Sequence, residues 1–210
     1  MASITAAPRK GLLSVPGLAG IGFALSWAAG LSVPVPAPGF GASGSEIVGD
    51  YAGHGAALTV QFLLTEGLPA AALALVPLAL GRAARWSRAG RIAAGAGLVA
   101  AVISLAQFAI GLALVATSAP GTAHALLEAL NRADGVKMFF LAVVGAAGAL
   151  AGVLPRWLEY TGFALAAAIA GSGIGYALLL TGVATLAYVS LPLLILFVAG
   201  AGVALAWKAA

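Results

Sequence analysis

The chain has 210 residues, of which 62% are hydrophobic and only 8% charged, whereas soluble domains carry about a quarter of their residues as Asp, Glu, Lys and Arg. This composition excludes a water-soluble catalytic domain and a disordered chain, and it lacks the alternation of polar and apolar residues expected of an outer-membrane barrel. Ten basic and six acidic residues leave a net charge of +4, which membrane topology explains better than nucleic-acid binding. The absence of cysteine excludes disulfides, thiolate nucleophiles, dithiol redox chemistry and Cys-ligated metals.

Hydrophobic runs predict one all-α domain over 1–210, a bundle of six transmembrane helices at 11–33, 54–80, 92–116, 136–154, 158–180 and 183–207. Each run is close to the roughly 20 apolar residues that a span requires. The first follows Arg9 and Lys10 and is long for a signal-peptide core, so it reads as a retained span. Residues 33–53 open with VPVPAPGF and read as an extended Pro/Gly/Ser loop. The second span ends in the basic connector GRAARWSRAGR. The connector after the third carries HALLEAL, which predicts a short amphipathic helix lying along the interface. The turn between spans five and six is so short that these helices must be antiparallel neighbours.

Basic residues set the orientation. Arg9, Lys10, Arg82, Arg85, Arg88, Arg91, Arg156 and Lys208 fall on the side of the termini, with Arg132 and Lys137 opposite, so both termini are expected in the cytoplasm. Glu46, Asp50, His54, His124, Glu128 and Asp134 map to the outer side and Glu159 to the cytoplasmic face, with Glu66 between them. Gly148/Gly152 and Gly171/Gly175 have the spacing of close helix packing and read as intrachain contacts rather than a dimer face. No internal repeat is visible, which argues against an inverted-repeat transporter.

Glu66 is the leading candidate for chemistry. It lies about twelve residues into span two, near mid-membrane at a rise of roughly 1.5 Å per residue, where a carboxylate is costly and marks function by default. Desolvation disfavours the charged form, so Glu66 reads as a neutral acid able to donate a proton. Pro69 cannot donate a helical bond to the Thr65 carbonyl and should kink the span beside it. The simpler reading is that Glu66 joins helices by bonding that carbonyl, Gln107 or a trapped water.

Asp50 and His54 stand four apart at the entrance to span two, where one helical turn would bring them to one face. With the other outer acids and histidines they could form a polar cluster, or a solvated rim. No spacing resembles a metal-binding motif, and no metal or cofactor is expected. Asp134 and Lys137, in NRADGVKMF, read either as a first-turn acid with a lysine reaching to the interface or as a second acid that orients Glu66 or holds a substrate. Trp27, Phe62, Gln107, Phe108, Tyr176 and Tyr188 are deep enough to line a substrate pocket whose rings would suit a carbocation, with core packing as the alternative. Trp86, Trp157 and Trp207 read as cytoplasmic interface anchors. A paired-aspartate diphosphate motif, a P-loop and Gly-x-Ser-x-Gly are all absent.

The strings GFALSWAAGL, VQFLLTEGLPAAALALV and LNRADGVKMF, with the Pro/Gly loop between the first two, resemble a group of small six-helix bacterial membrane proteins. That group includes membrane-bound terpene cyclases of indole and diketopiperazine sesquiterpenoid biosynthesis. The resemblance implies a bundle in a bacterial inner membrane and metal-independent cyclisation of a farnesyl-type substrate, begun by protonating a terminal alkene or epoxide, with Glu66 as proton donor; the resemblance matches no second acid, for which Asp134 or Asp50 is the candidate on position alone. Two other functions fit the residues alone. One is a small proton-coupled carrier using Glu66, weakened by the lack of a second intramembrane ionisable group. The other is a non-catalytic partner or sensor that recognises its ligand through the outer loop.

Overall fold

The computed structural model describes residues 14–208, which form helices and no strand. Helix α1 (Val15–Leu31) is followed by an extended stretch and a short helix α2 (Gly44–Tyr51). Helix α3 (Gly55–Phe62) runs through one π turn (Leu63–Gly67) into α4 (Leu68–Ala83). Then come α5 (Arg88–Ala116), α6 (Pro120–Leu150), α7 (Arg156–Ala177), the one-turn α8 (Thr181–Ala184) and α9 (Ala187–Lys208). Four stretches, Gly55–Ala83, Arg88–Ala116, Pro120–Leu150 and Thr181–Lys208, are long and apolar enough to cross a membrane. Large apolar side chains such as Leu25, Val102, Leu105 and Leu196 point outward, where a water-soluble protein would place polar groups. The chain therefore has the build of a helical membrane bundle.

Local chemistry sets the helix starts. Pro120 opens α6 where its missing N–H costs nothing, and the Ser87 hydroxyl accepts from Gly90 N at 3.1 Å to cap α5. A capping box between Ser43 and Glu46 starts α2, so residues 33–53 are not loop throughout; Ser-x-x-Glu was the sequence signal for this helix.

Six helices close into a ring in which neighbours in sequence are neighbours in space: α1 packs on α4, α4 on α5, α5 on α6, α6 on α7, α7 on α9 and α9 back on α1. Phe23, Leu80, Leu141, Leu165 and Phe197 fill its centre. A second, smaller cluster around Ile47 and Leu127 docks α2 on the first half of α6.

Glycines let α6 and α7 touch backbone to backbone. A Cβ at Gly145 would lie 2.8 Å from the Gly162 carbonyl oxygen, and one at Gly135 would lie 2.8 Å from that of Gly173. Gly95 on α5 faces open space. Gly135→Ala is therefore expected to destabilise the protein by about 1–3 kcal/mol through overpacking, while Gly95→Ala stabilises it by roughly 0.5–1 kcal/mol through helix propensity. Thermal unfolding in detergent checks the opposite signs. Of the glycines singled out by spacing, Gly148 meets Phe197 and Leu80, Gly171 meets Leu186, and Gly175 packs on Ala184. Gly152 instead makes the turn after α6, with φ of 67°.

The expected fourth span, 136–154, needs correction. The helix begins at Pro120, so HALLEAL is its first half rather than a separate interfacial helix; its apolar face is buried against α2 through Ala123 and Leu127. Asp134 and Lys137 accordingly sit mid-helix, not in a first turn. Arg9 and Lys10 lie outside the described residues. Arg82, Arg85, Arg88, Arg91, Arg156 and Lys208 fall at one end of the bundle, at the α4–α5 and α6–α7 hairpins and the end of α9, whereas Lys137 belongs to neither end.

Candidate functional site

Glu66 and Lys137 meet inside the bundle. Lys137 Nζ lies 2.7 Å from Glu66 Oε2 and 2.9 Å from Asp134 Oδ1, and the lysine is 5% exposed and the glutamate 8%. Asp134 and Lys137 share a face of α6 because they are three residues apart; Glu66 comes from the π turn between α3 and α4. Lys137 does not extend to the surface as a lysine at a helix end would: its side chain is buried and turned to Glu66 and Asp134. Glu66 is thus not an isolated acid, and the bundle interior holds three ionisable groups where the sequence pointed to one.

The π turn positions Glu66. A wider i to i+5 turn displaces backbone carbonyls from their helical partners, and two neighbouring helices supply replacements. The Ser26 hydroxyl of α1 donates to the Leu64 carbonyl. Ser104 of α5 lies 2.6 Å from Glu66 Oε2 and 3.0 Å from the Glu66 carbonyl oxygen, so one hydroxyl proton serves the backbone and the carboxylate together. The irregularity that Pro69 announced is therefore a π turn just before it, satisfied at Leu64 and Glu66 rather than at Thr65. Ser104→Ala is expected to cost about 1–3 kcal/mol because it takes the side-chain donor from the buried Glu66 carbonyl and one of two donors from Glu66 Oε2. In the same detergent melts, Ser32→Ala, which removes an exposed hydroxyl, should cost much less.

Gln107, 0% exposed, does not bond Glu66. Its Nε2 donates to Asp134 Oδ1 at 3.2 Å and to the Leu130 carbonyl at 3.3 Å. Lys137 and Gln107 thus converge on one oxygen of Asp134, and among the described residues no donor reaches Oδ2.

Asp134 and Lys137 also stand in the wall of a partly open cavity of about 760 Å³ bordered by α1, residues 37–40, α6, α7, α8 and α9. That size lies within the roughly 300–1,000 Å³ of small-molecule sites. Its lining is mainly apolar, with Trp27, Phe40, Tyr176 and Tyr188 as aromatic members. Phe40 packs edge-on against Tyr176 at 5.2 Å between ring centroids, so the proline-rich stretch roofs the cavity. Tyr188, 84% exposed, is at its rim.

The other sequence candidates are elsewhere. Phe62 packs against Gly111, and Phe108 faces Gly67; neither ring lines the cavity, and neither do Gln107 and Glu66. Asp50 is in α2 and joins neither the triad nor the cavity. It acts on its neighbour Tyr51, whose phenol is pushed above its usual range by burial first and by the Asp50 charge second. The proposed helical face shared with His54 is broken because α2 ends at Tyr51 and Gly53 takes a φ of 78°. The remaining outer polar residues are each engaged locally. Glu46 caps α2, His124 Nδ1 meets the Ala42 carbonyl at 3.1 Å, and Glu128 pairs with Arg132 at 2.7 Å. Among the described residues no group of three His, Asp or Glu is placed to hold a metal ion.

Together the fold and site define a helical membrane-type bundle with a Glu–Lys–Asp triad, of which Asp134 and Lys137 stand in the wall of a cavity lined in part by aromatic rings. No protein-family model, curated protein or solved structure matches the chain.

Proposed function

We propose that this chain is a membrane-embedded terpene cyclase, which starts carbocation cyclisation of a farnesyl-type group on a prenylated indole or diketopiperazine by protonating its terminal alkene or epoxide. The observation that carries the reading is Asp134: a carboxyl in the wall of a largely apolar, aromatic cavity, with both of its donors on a single oxygen. In this reading six helices cross a bacterial cytoplasmic membrane with both termini inside, in keeping with the basic residues gathered at one end of the bundle.

In this reading the proton is delivered from Asp134 Oδ2, the oxygen that no donor reaches, while Oδ1 accepts from Lys137 and Gln107. Transfer breaks this O–H bond and forms a C–H bond with the alkene electron pair, leaving a tertiary cation at the neighbouring carbon. With the epoxide the same proton goes to oxygen and a C–O bond breaks to give the tertiary cation. A second alkene of the same chain then attacks the cation and closes a ring, and loss of a proton from carbon to the Asp134 carboxylate ends the reaction and restores the acid, so product and substrate have equal mass. The carboxylate left on Asp134 is held by donors already in place, and the faces of Trp27, Phe40 and Tyr176 favour positive charge in the cavity. Glu66, the donor expected from sequence, acts here as the counterion of Lys137.

Mass spectrometry tests the reading. Membranes carrying the wild-type chain should convert linear farnesylated indole or diketopiperazine, as alkene or epoxide, to a cyclic product of unchanged mass. Membranes carrying Asp134→Asn should not.

A second reading, a proton-coupled carrier, draws on the unbroken contact from Ser104 through Glu66 and Lys137 to Asp134, which joins the α4–α5 side of the bundle to the cavity. It predicts proton-driven uptake into liposomes, abolished by Glu66→Gln, and no chemical change in any prenylated substrate.

A further inference from the structure

A groove of about 770 Å³ runs between the start of α7 and the end of α9, toward the basic end of the bundle. Gly200, Val203 and Ala204 are among its apolar lining, and Trp157, Trp207 and Lys208 stand around it. The two indoles are 52% and 68% exposed, as expected of rings at the boundary between hydrocarbon and headgroups. Lys208 Nζ donates to the Val153 carbonyl at 2.7 Å, which fixes the ammonium at the end of the groove with two protons to spare. Arg156, next to Trp157, is exposed and takes part in no salt bridge among the described residues. Arg82, Arg85, Arg88 and Arg91 belong to the same end, with Glu159 the acid nearest to the groove in sequence.

These features match one ligand in three respects. An apolar trough suits an acyl chain, a tryptophan pair fits the depth of the glycerol region, and Lys208 in the lining, with Arg156 between the lining residues Pro155 and Trp157 in sequence, fits a phosphate with net negative charge. Basic sites between helices on the cytoplasmic side bind anionic lipid headgroups by the same logic. A zwitterionic lipid would place its own cation among these basic groups. A second copy of the chain would bring an identical basic end against this one.

We propose that this groove binds one anionic phospholipid, its acyl chain along Gly200, Val203 and Ala204 and its phosphate at Lys208 and Arg156. The proposal is independent of the chemistry at Asp134. Native mass spectrometry of the purified full chain tests it, after incubation with phosphatidylglycerol or phosphatidylcholine at equal concentration. The expected result is a single retained phosphatidylglycerol, favoured about fivefold or more over phosphatidylcholine. Arg156→Gln with Lys208→Gln should abolish that preference, and Ala204→Trp, which fills the trough, should reduce retention of both lipids. Equal retention by the wild type, several equivalents without saturation at one, a preference unchanged in the charge variant, or a dimer in place of a lipid adduct would each overturn the proposal. Should Ala204→Trp fail to fold, the charge variant, which alters only exposed side chains, decides alone.

Discussion

Asp134→Asn is expected to lower cyclisation by about 100- to 10,000-fold, the usual contribution of a positioned general acid. The substitution keeps the shape of the side chain and an oxygen to accept from Gln107, and Lys137 retains Glu66 as counterion, so the protein should remain folded with a thermal midpoint near that of wild type. Only the transferable proton is gone. Glu66→Gln should also lose activity, for a different reason: it leaves Asp134 as the only carboxylate partner of Lys137, which ties that acid into an ion pair and away from the substrate. Removing the lysine as well, in Glu66→Gln with Lys137→Met, returns Asp134 to a neutral setting and should recover part of the turnover. A simple requirement for Glu66 as proton donor predicts no such recovery. Full turnover in Asp134→Asn would remove the acid from the mechanism altogether.

Lys137→Met is expected to be the most damaging single change to stability, at about 3–5 kcal/mol, because it leaves the buried carboxyl of Glu66 without its cation and takes the same partner from the half-buried Asp134. Methionine fills nearly the same volume, so the loss would report charge and not packing. Glu66→Gln with Lys137→Met should recover much of it, since replacing both partners of a buried pair is far milder than removing one. A double-mutant cycle read by thermal unfolding in detergent isolates the coupling. If the two single changes simply add up to the double, the pair seen at 2.7 Å contributes nothing to folding.

How far these groups were legible differs from residue to residue. Glu66 announced itself, because one carboxylate in the middle of an apolar run is a signal that needs no partner to be seen. Lys137 did not. With the fourth span placed at 136–154 it fell at a helix end, where lysines ordinarily reach for water, and only the continuation of α6 back to Pro120 moves it to mid-bundle. The run ALLEALNRADGVKMFF has few breaks of helical character, and its lack of any Gly–Pro stop between Gly121 and Leu150 was the available clue. The close approaches at Gly135/Gly173 and Gly145/Gly162 were hidden for another reason. In a chain with 29 glycines, spacing along one helix says nothing about which glycine faces which across a helix pair.

The sequence by itself determined that this is a helical membrane-type bundle, because composition and hydrophobic run length depend only on what the solvent must be. It also determined that polar groups inside the bundle would be few, and that one of them would be Glu66. Tertiary structure alone decided which groups meet. The rotation of α6 turns Asp134 to the cavity and Lys137 toward both acids, the π turn aims Glu66 at them, and the ring of helices leaves Phe62 and Phe108 outside the cavity lining while Trp27 and Tyr176 line it. Those outcomes depend on angles between helices, which are fixed by packing many small side chains together and are written in no local stretch of the chain.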